Sequence, residues 1–131
     1  MMKSKKPNKQ RKLNYDADLH RKHKLLSAHL SKELIKNWKK RSIPVRKGDE
    51  VRVMKGEFRG TSGKITEVDM KKSKVYMENV KRKKVSGAEV YVPVHPSNLM
   101  VLNPVMEDKE RLKVINRKGE NIGKAKKTNV S

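Results

Sequence analysis

The chain has 131 residues, with 35 Lys+Arg against 14 Asp+Glu and a formal net charge of +21. That length suggests one domain, the 34% of hydrophobic residues imply a small core, and the absence of cysteine excludes disulfides and cysteine-ligated zinc. Such a charge opposes compaction unless an anionic partner neutralises it, and nucleic acid is the leading candidate.

Membrane surfaces fit less well. The basic stretches lack a long apolar face, no lipidation signature is present, and no run approaches the roughly 18 apolar residues of a spanning helix. The start, Met1-Met2-Lys3-Ser4-Lys5-Lys6-Pro7, has no hydrophobic region after its charges, so no secretory signal is expected.

In chain order, residues 1–14 form a basic arm with Lys3, Lys5, Lys6, Lys9, Arg11 and Lys12 and almost nothing to bury. The expectation is disorder in the free chain and ordering against RNA. Residues 15–44 read as a helical extension of two short segments. Asp16 and Asp18 suit a helix N-terminus, and the first segment gives way near Leu26-Ser27. Ser31 suits the N-cap of the second, with Glu33 in its first turn. Leu30, Leu34 and Trp38 recur every four residues, an apolar stripe expected to dock on a barrel beginning at Val45. Ile43-Pro44 is expected to end the helical region.

Residues 45–102 read as a small β-barrel. Val51 and Val53 alternate with Glu50 and Arg52, the period of a half-buried strand, and a second strand covers Gly63 to Val68. Between them, Met54 to Ser62 form a loop in which Gly56 and Gly60 permit the positive φ of a tight turn. Met70 to Ser73 make a polar turn. Val75 and Met77 face inward with Tyr76 opposite, and the basic run Lys81 to Lys84 leads to a turn at Ser86-Gly87. Val90, Val92 and Val94 alternate again, and Pro93 places that strand at an edge or kink. His95-Pro96-Ser97-Asn98 turns into a last strand, Leu99 to Leu102. In the C-terminal segment, 103–131, Asp108 to Ile115 suits a short helix with Leu112 and Ile115 on one side. Residues 119–131 read as a basic tail, disordered until bound.

The loop carries the main candidate chemistry. Lys55, Arg59 and Lys64 suit phosphates, and Phe58 either stacks on an unpaired base or packs against the barrel rim. Gly56, Gly60 and Gly63 serve backbone geometry first, while the missing side chain at Gly60 also lets backbone approach a ligand. Candidate RNA contacts extend to His20, Arg21, Lys22, His23 and Lys24 in the helical extension and to Lys47, Lys71 and Lys72. Lys81, Arg82, Lys83 and Lys84 join them, as do His95, Ser97 and Asn98, which otherwise form a structural turn. His20 and His23 are spaced to share a metal, with His29 and Asp16 the nearest further ligands. Arg21, Lys22 and Lys24 would repel a divalent cation there, so no metal site is expected. No catalytic triad or P-loop is present, and the loop glycines do not fit G-x-G-x-x-G, so neither catalysis nor a cofactor is expected.

Gly48-Asp49, Val51, Gly56, Gly60, Gly63-Lys64-Ile65 and Val68 together resemble the KOW motif. Their flanks are the stretch from Leu19 to Leu34, Arg41 to Asp49, Thr66 to Asp69, Lys81 to Lys84, and Val92 to Met100. In that order the chain resembles the archaeal and eukaryotic large-subunit ribosomal protein family L twenty-four (L twenty-six in eukaryotes), from about Tyr15 to about Leu102. The resemblance implies a mainly β fold, a small SH3-like barrel with an N-terminal helical extension and basic arms. It implies large-subunit rRNA near its 5′ domain as the partner, with neighbouring ribosomal proteins and no small-molecule substrate. It also implies an early role in subunit assembly, a cytoplasmic position beside the polypeptide tunnel exit, and contact between the Leu19–Lys24 segment and rRNA. Competing readings are a transcription-elongation KOW module and a nucleoid DNA-binding protein.

Overall fold

Two of the three alternating segments form the strands expected of them. Val51 and Val53 are buried in β3 (Glu50–Val53), and Val75 and Met77 are buried in β5 (Lys74–Met77). Of Val90, Val92 and Val94 only Val90 lies in a strand, where it is exposed, because that short segment pairs as a separate hairpin rather than in the main sheet. The computed structural model describes residues 4–117; Lys3 and the tail expected at 119–131 lie outside the described residues.

The remaining strands are β1 (Ser27–Leu30), β2 (Ser42–Pro44), β4 (Ser62–Asp69), β6 (Lys81–Lys83), β7 (Glu89–Tyr91) and β8 (Leu99–Asn103). Six of these eight strands form one sheet in the order β2-β1-β8-β3-β4-β5, and β6 pairs with β7 as a separate hairpin. Within the larger sheet only β1 and β8 are parallel; the other neighbours are antiparallel. The first residues of β4 pair with β3, and from Ile65 onward it pairs with β5, with a register irregularity between Ile65 and Glu67. A break of that kind bends a strand, so one strand serves both halves of the fold. Among the described residues no ladder joins β2 to β5. The strand order is therefore open, with an isolated bridge between Val75 and Val94 holding the segment before the last turn against β5.

Among the described residues four helices accompany the sheet: α1 (Pro7–Asp16), α2 (Leu19–Leu25), α3 (Lys32–Trp38) and α4, residues 109–117. The arm thus differs from the expected disorder. Pro7 occupies the first turn of α1, where its missing N–H costs nothing, and good helix formers such as Lys9, Gln10, Arg11 and Lys12 follow. None of its residues is buried. Asp16 consequently ends α1 rather than starting a helix, and Asp18 is the N-cap of α2 without a side-chain capping bond.

The extension also departs from a purely helical reading. The first helical segment does end at Leu25, but β1 comes next, burying Ala28 and Leu30 completely. The four-residue alternation of β1 is too short to be told from a helix by pattern. Leu30 therefore reaches the core from a strand, while Leu34 and Trp38 pack on that core from α3. Helix α3 stops at Lys39, which has φ +56° and donates its N–H to the Ile35 carbonyl at 2.9 Å. Ile43-Pro44 does not terminate a helix; it lies in β2, paired with β1.

Ser31 caps α3 as expected, its Oγ accepting from the Leu34 N–H at 3.5 Å. That bond is long, so Ser31→Ala is expected to cost about 0.5–1 kcal/mol, at the low end for a lost cap. Urea denaturation followed by Trp38 fluorescence measures it.

The core is aliphatic, with Leu26, Ile43, Val45, Ile65, Val80, Leu99, Val101 and Ile115 joining the residues above. Two buried charges cross its floor. Asp49 is 0% exposed and Arg111, from α4, is 3% exposed. Arg111 Nη1 donates to Asp49 Oδ1 at 2.6 Å and Nη2 to Oδ2 at 2.5 Å, a fork-on-fork pair. Nη1 also reaches the Val105 carbonyl and Nη2 the Pro44 carbonyl, while the N–H groups of Arg46 and Val105 complete the carboxylate. Of the buried side-chain polar atoms among the described residues, Arg111 Nε alone lacks a partner. Helix α4 is thereby bolted to the turn that precedes β3.

Candidate nucleic-acid interface

The loop between β3 and β4 is shaped by backbone bonds. Gly60 donates to the Val53 carbonyl at 2.9 Å, Arg59 to Gly56 at 3.2 Å and Thr61 to Phe58 at 3.1 Å. These bonds require φ +100° at Gly56 and +87° at Gly60, and a Cβ at either would meet nothing within 4 Å. The glycines are therefore conformational requirements, and the space beside them is open to a ligand. Phe58 is half-buried and packs against the core, which favours the rim role over base stacking. Lys55 and Arg59 stay exposed on either side.

A groove of about 280 Å³ runs along this loop, lined in part by Arg52, Arg59, Gly60 and Met100. Arg52, a cation not among the sequence candidates, lines this groove. Its position opposite Val51 and Val53 already placed it on the solvent face next to the loop. Lys64 is exposed in β4, and Arg82 pairs with Glu57, linking the β6–β7 hairpin to the loop. The hairpin displays Lys81, Lys83 and Lys84 to solvent, with Lys81 Nζ 5.1 Å from the Tyr91 ring centroid.

Other candidates fall into two clefts. His23 and Lys47 line one of about 380 Å³ beside Arg46 and Glu67. Lys22, Lys71, Lys72 and His95 line another of about 720 Å³ where α2 meets the β4–β5 turn. Lys5, Lys6, Lys9, Arg11 and Lys12 are exposed at the start of α1 or along it, and His20, Arg21 and Lys24 are exposed on α2. The turn of His95 to Asn98 is held by its own hydrogen bonds. Pro96–Asn98 form a short 3-10 helix, and His95 Nδ1 accepts from the Ser97 N–H at 3.2 Å. Partial burial, assisted by the nearby Lys74 ammonium, holds the His95 pKa below its ordinary value. At neutral pH the imidazole is therefore uncharged. With Nδ1 accepting, its proton sits on Nε2.

Among the described residues no three His, Asp or Glu side chains converge as a metal site. His20 and His23 share α2, but His29 belongs to β1 and Asp16 to the end of α1. Nor is any helix among these residues long and apolar enough to cross a membrane.

Mainly β, aliphatic inside and cationic across loop, hairpin and helices, the molecule is of the class of small basic proteins whose surface charge outweighs their core. The chain belongs to the ribosomal protein family that comprises eukaryotic L26 and its archaeal L24-type counterparts, whose model matches residues 4–118. That is a family of ribosomal structural proteins, not of enzymes. The chain is 44% identical over 115 residues to the "Large ribosomal subunit protein uL24" of Methanosphaera stadtmanae, covering 88% of this chain and 98% of the relative. It is 42% identical over 121 residues to the protein of the same name from Korarchaeum cryptofilum, covering 92% of each.

Proposed function

We propose that the protein is a structural constituent of the large ribosomal subunit that binds large-subunit rRNA chiefly through phosphates. The observation that carries this reading is identity at the level of 44% across 98% of a relative with that assignment in its name. The surface supports it: cations occupy the β3–β4 loop, the hairpin, α1 and α2, whereas the acidic Asp49, Glu57 and Asp108 are engaged by Arg111, Arg82 and Arg46. Contacts of this kind place a protein on folded RNA by shape and phosphate position rather than by base edges.

On this reading the strands from Val45 to Leu102 are the frame of an SH3-like barrel of the KOW type, with the Val75–Val94 bridge adding the segment before β8 to the β5 edge. The extension at 15–44 and the arm at 1–14 reach from it into clefts between rRNA helices. The protein then acts in the cytoplasm, beside other ribosomal proteins, near the rRNA 5′ domain and the tunnel exit, and joins the subunit early in assembly. A tagged chain expressed in an archaeal host is expected to sediment with large subunits and to be stripped from them by high salt. Migration free of ribosomal particles at near-physiological salt overturns the reading.

A further inference from the structure

The cleft of about 720 Å³ between α1, α2 and the β4–β5 turn combines features that phosphate binding alone does not call for. Its size falls within the roughly 300–1,000 Å³ of sites that enclose a small molecule. One wall is aromatic and aliphatic: Tyr15 is 81% exposed and Leu25 is 48% exposed. Tyr15 and Leu25 thus present an aromatic face and an aliphatic edge directly beside the cationic turn. The Lys22 ammonium lies 5.9 Å from the Tyr15 ring centroid and 3.4 Å from the Lys71 carbonyl, which joins helix to turn across the cleft.

The opposite wall is cationic and held in shape. Lys71 and Lys72 sit on the β4–β5 turn, where the Lys72 N–H donates to Asp69 Oδ1 at 3.1 Å. Ser73 in the same turn has φ +54°, a conformation that non-glycine residues rarely adopt. His95 completes the lining, with Nδ1 committed to the Ser97 N–H and Oγ. Its remaining Nε2–H is a donor for an oxygen or a base edge.

We propose that this cleft is a pocket for one unpaired RNA nucleotide, its base stacked on Tyr15 and its phosphate held by Lys22, Lys71 and Lys72. A π face and an adjacent anion are what a single-stranded nucleotide offers. A base-paired duplex hides the first and offers only the second, so it leaves Tyr15 without a stacked base. The pocket rests on the proposed rRNA binding and adds a specificity for unpaired positions that the cationic loop does not provide.

The test compares a short single-stranded RNA oligomer, bearing one fluorescent purine analogue whose emission falls on stacking, with a blunt RNA duplex of equal charge. The full chain and Tyr15→Ala, Tyr15→Phe and Lys71→Ser/Lys72→Ser variants are titrated at near-physiological salt. Tyr15 and both lysines are exposed, so the fold survives these changes, which circular dichroism checks. Tyr15→Ala is expected to weaken single-strand binding about 5- to 150-fold, in keeping with loss of one stacked base, and to abolish the quenching. Tyr15→Phe keeps both, and duplex affinity is unchanged by either. Lys71→Ser/Lys72→Ser weakens both ligands and lowers the salt slope by about 1.4–1.8. Equal single-strand affinity for the full chain and Tyr15→Ala overturns the pocket while leaving rRNA binding intact. Failure of the full chain to bind either RNA overturns the proposed function as well.

Discussion

Arg111→Met is expected to destabilise the protein by about 3–5 kcal/mol, the range seen when one partner of a buried ion pair is removed. The residual Asp49 carboxylate is wholly buried and keeps only the N–H groups of Arg46 and Val105 as partners. Methionine restores most of the volume of the arginine stem but none of its four donated bonds. The reverse change, Asp49→Asn, leaves a buried guanidinium facing two carbonyls and a neutral amide, and a comparable loss is expected. The two changes share one interaction, so the double variant loses less than the sum of the singles, with a coupling of about 0.5–3 kcal/mol. Urea denaturation of all four proteins closes the cycle. A cost under about 1 kcal/mol for Arg111→Met, the usual worth of an exposed pair, means that α4 is not anchored by this contact.

Lys55→Glu combined with Arg59→Glu is expected to weaken rRNA binding while leaving the fold intact. Both side chains are exposed and no bond shaping the loop passes through them, since those bonds are backbone to backbone. Neutralising two phosphate contacts flattens the log–log salt dependence by about 1.4–1.8, and charge reversal adds repulsion to that loss. Filter binding across a salt series reads both the slope and the affinity. An unchanged slope removes the loop from the interface, and the cations of the α2 cleft and the β6–β7 hairpin then carry the RNA. A weakened affinity with a changed unfolding midpoint indicts the fold instead.

Local pattern carried much of the architecture. The alternation of Val51 with Val53, the inward Val75 and Met77, and the turn at Ser86-Gly87 all state their conformation within a few residues. Gly56 and Gly60 do the same for the loop, because positive φ is a property of a single residue. The Ser31 cap and the end of the first helical segment were equally legible. For the candidate site, residue type was enough to find most cations, though not to group them. That Lys22, Lys71 and His95 share one cleft depends on three separate elements meeting.

The sequence by itself determined a small basic protein with a strand-built centre, a glycine-hinged cationic loop and too little apolar matter for a large core. Tertiary structure alone decided the rest. Strand β1 exists because His29 and Leu30 find Met100 and Val101 of β8 alongside them, a pairing with no trace in the four residues themselves. Arg111 looks like any other surface arginine until it meets Asp49, 62 residues away. Tyr15 acquires a neighbour only when α1 and α2 turn at Ala17-Asp18. Short-range rules read dihedral preference and periodicity, whereas burial, charge pairing and cleft formation belong to contacts between distant parts of the chain. Those contacts come into being only with the fold.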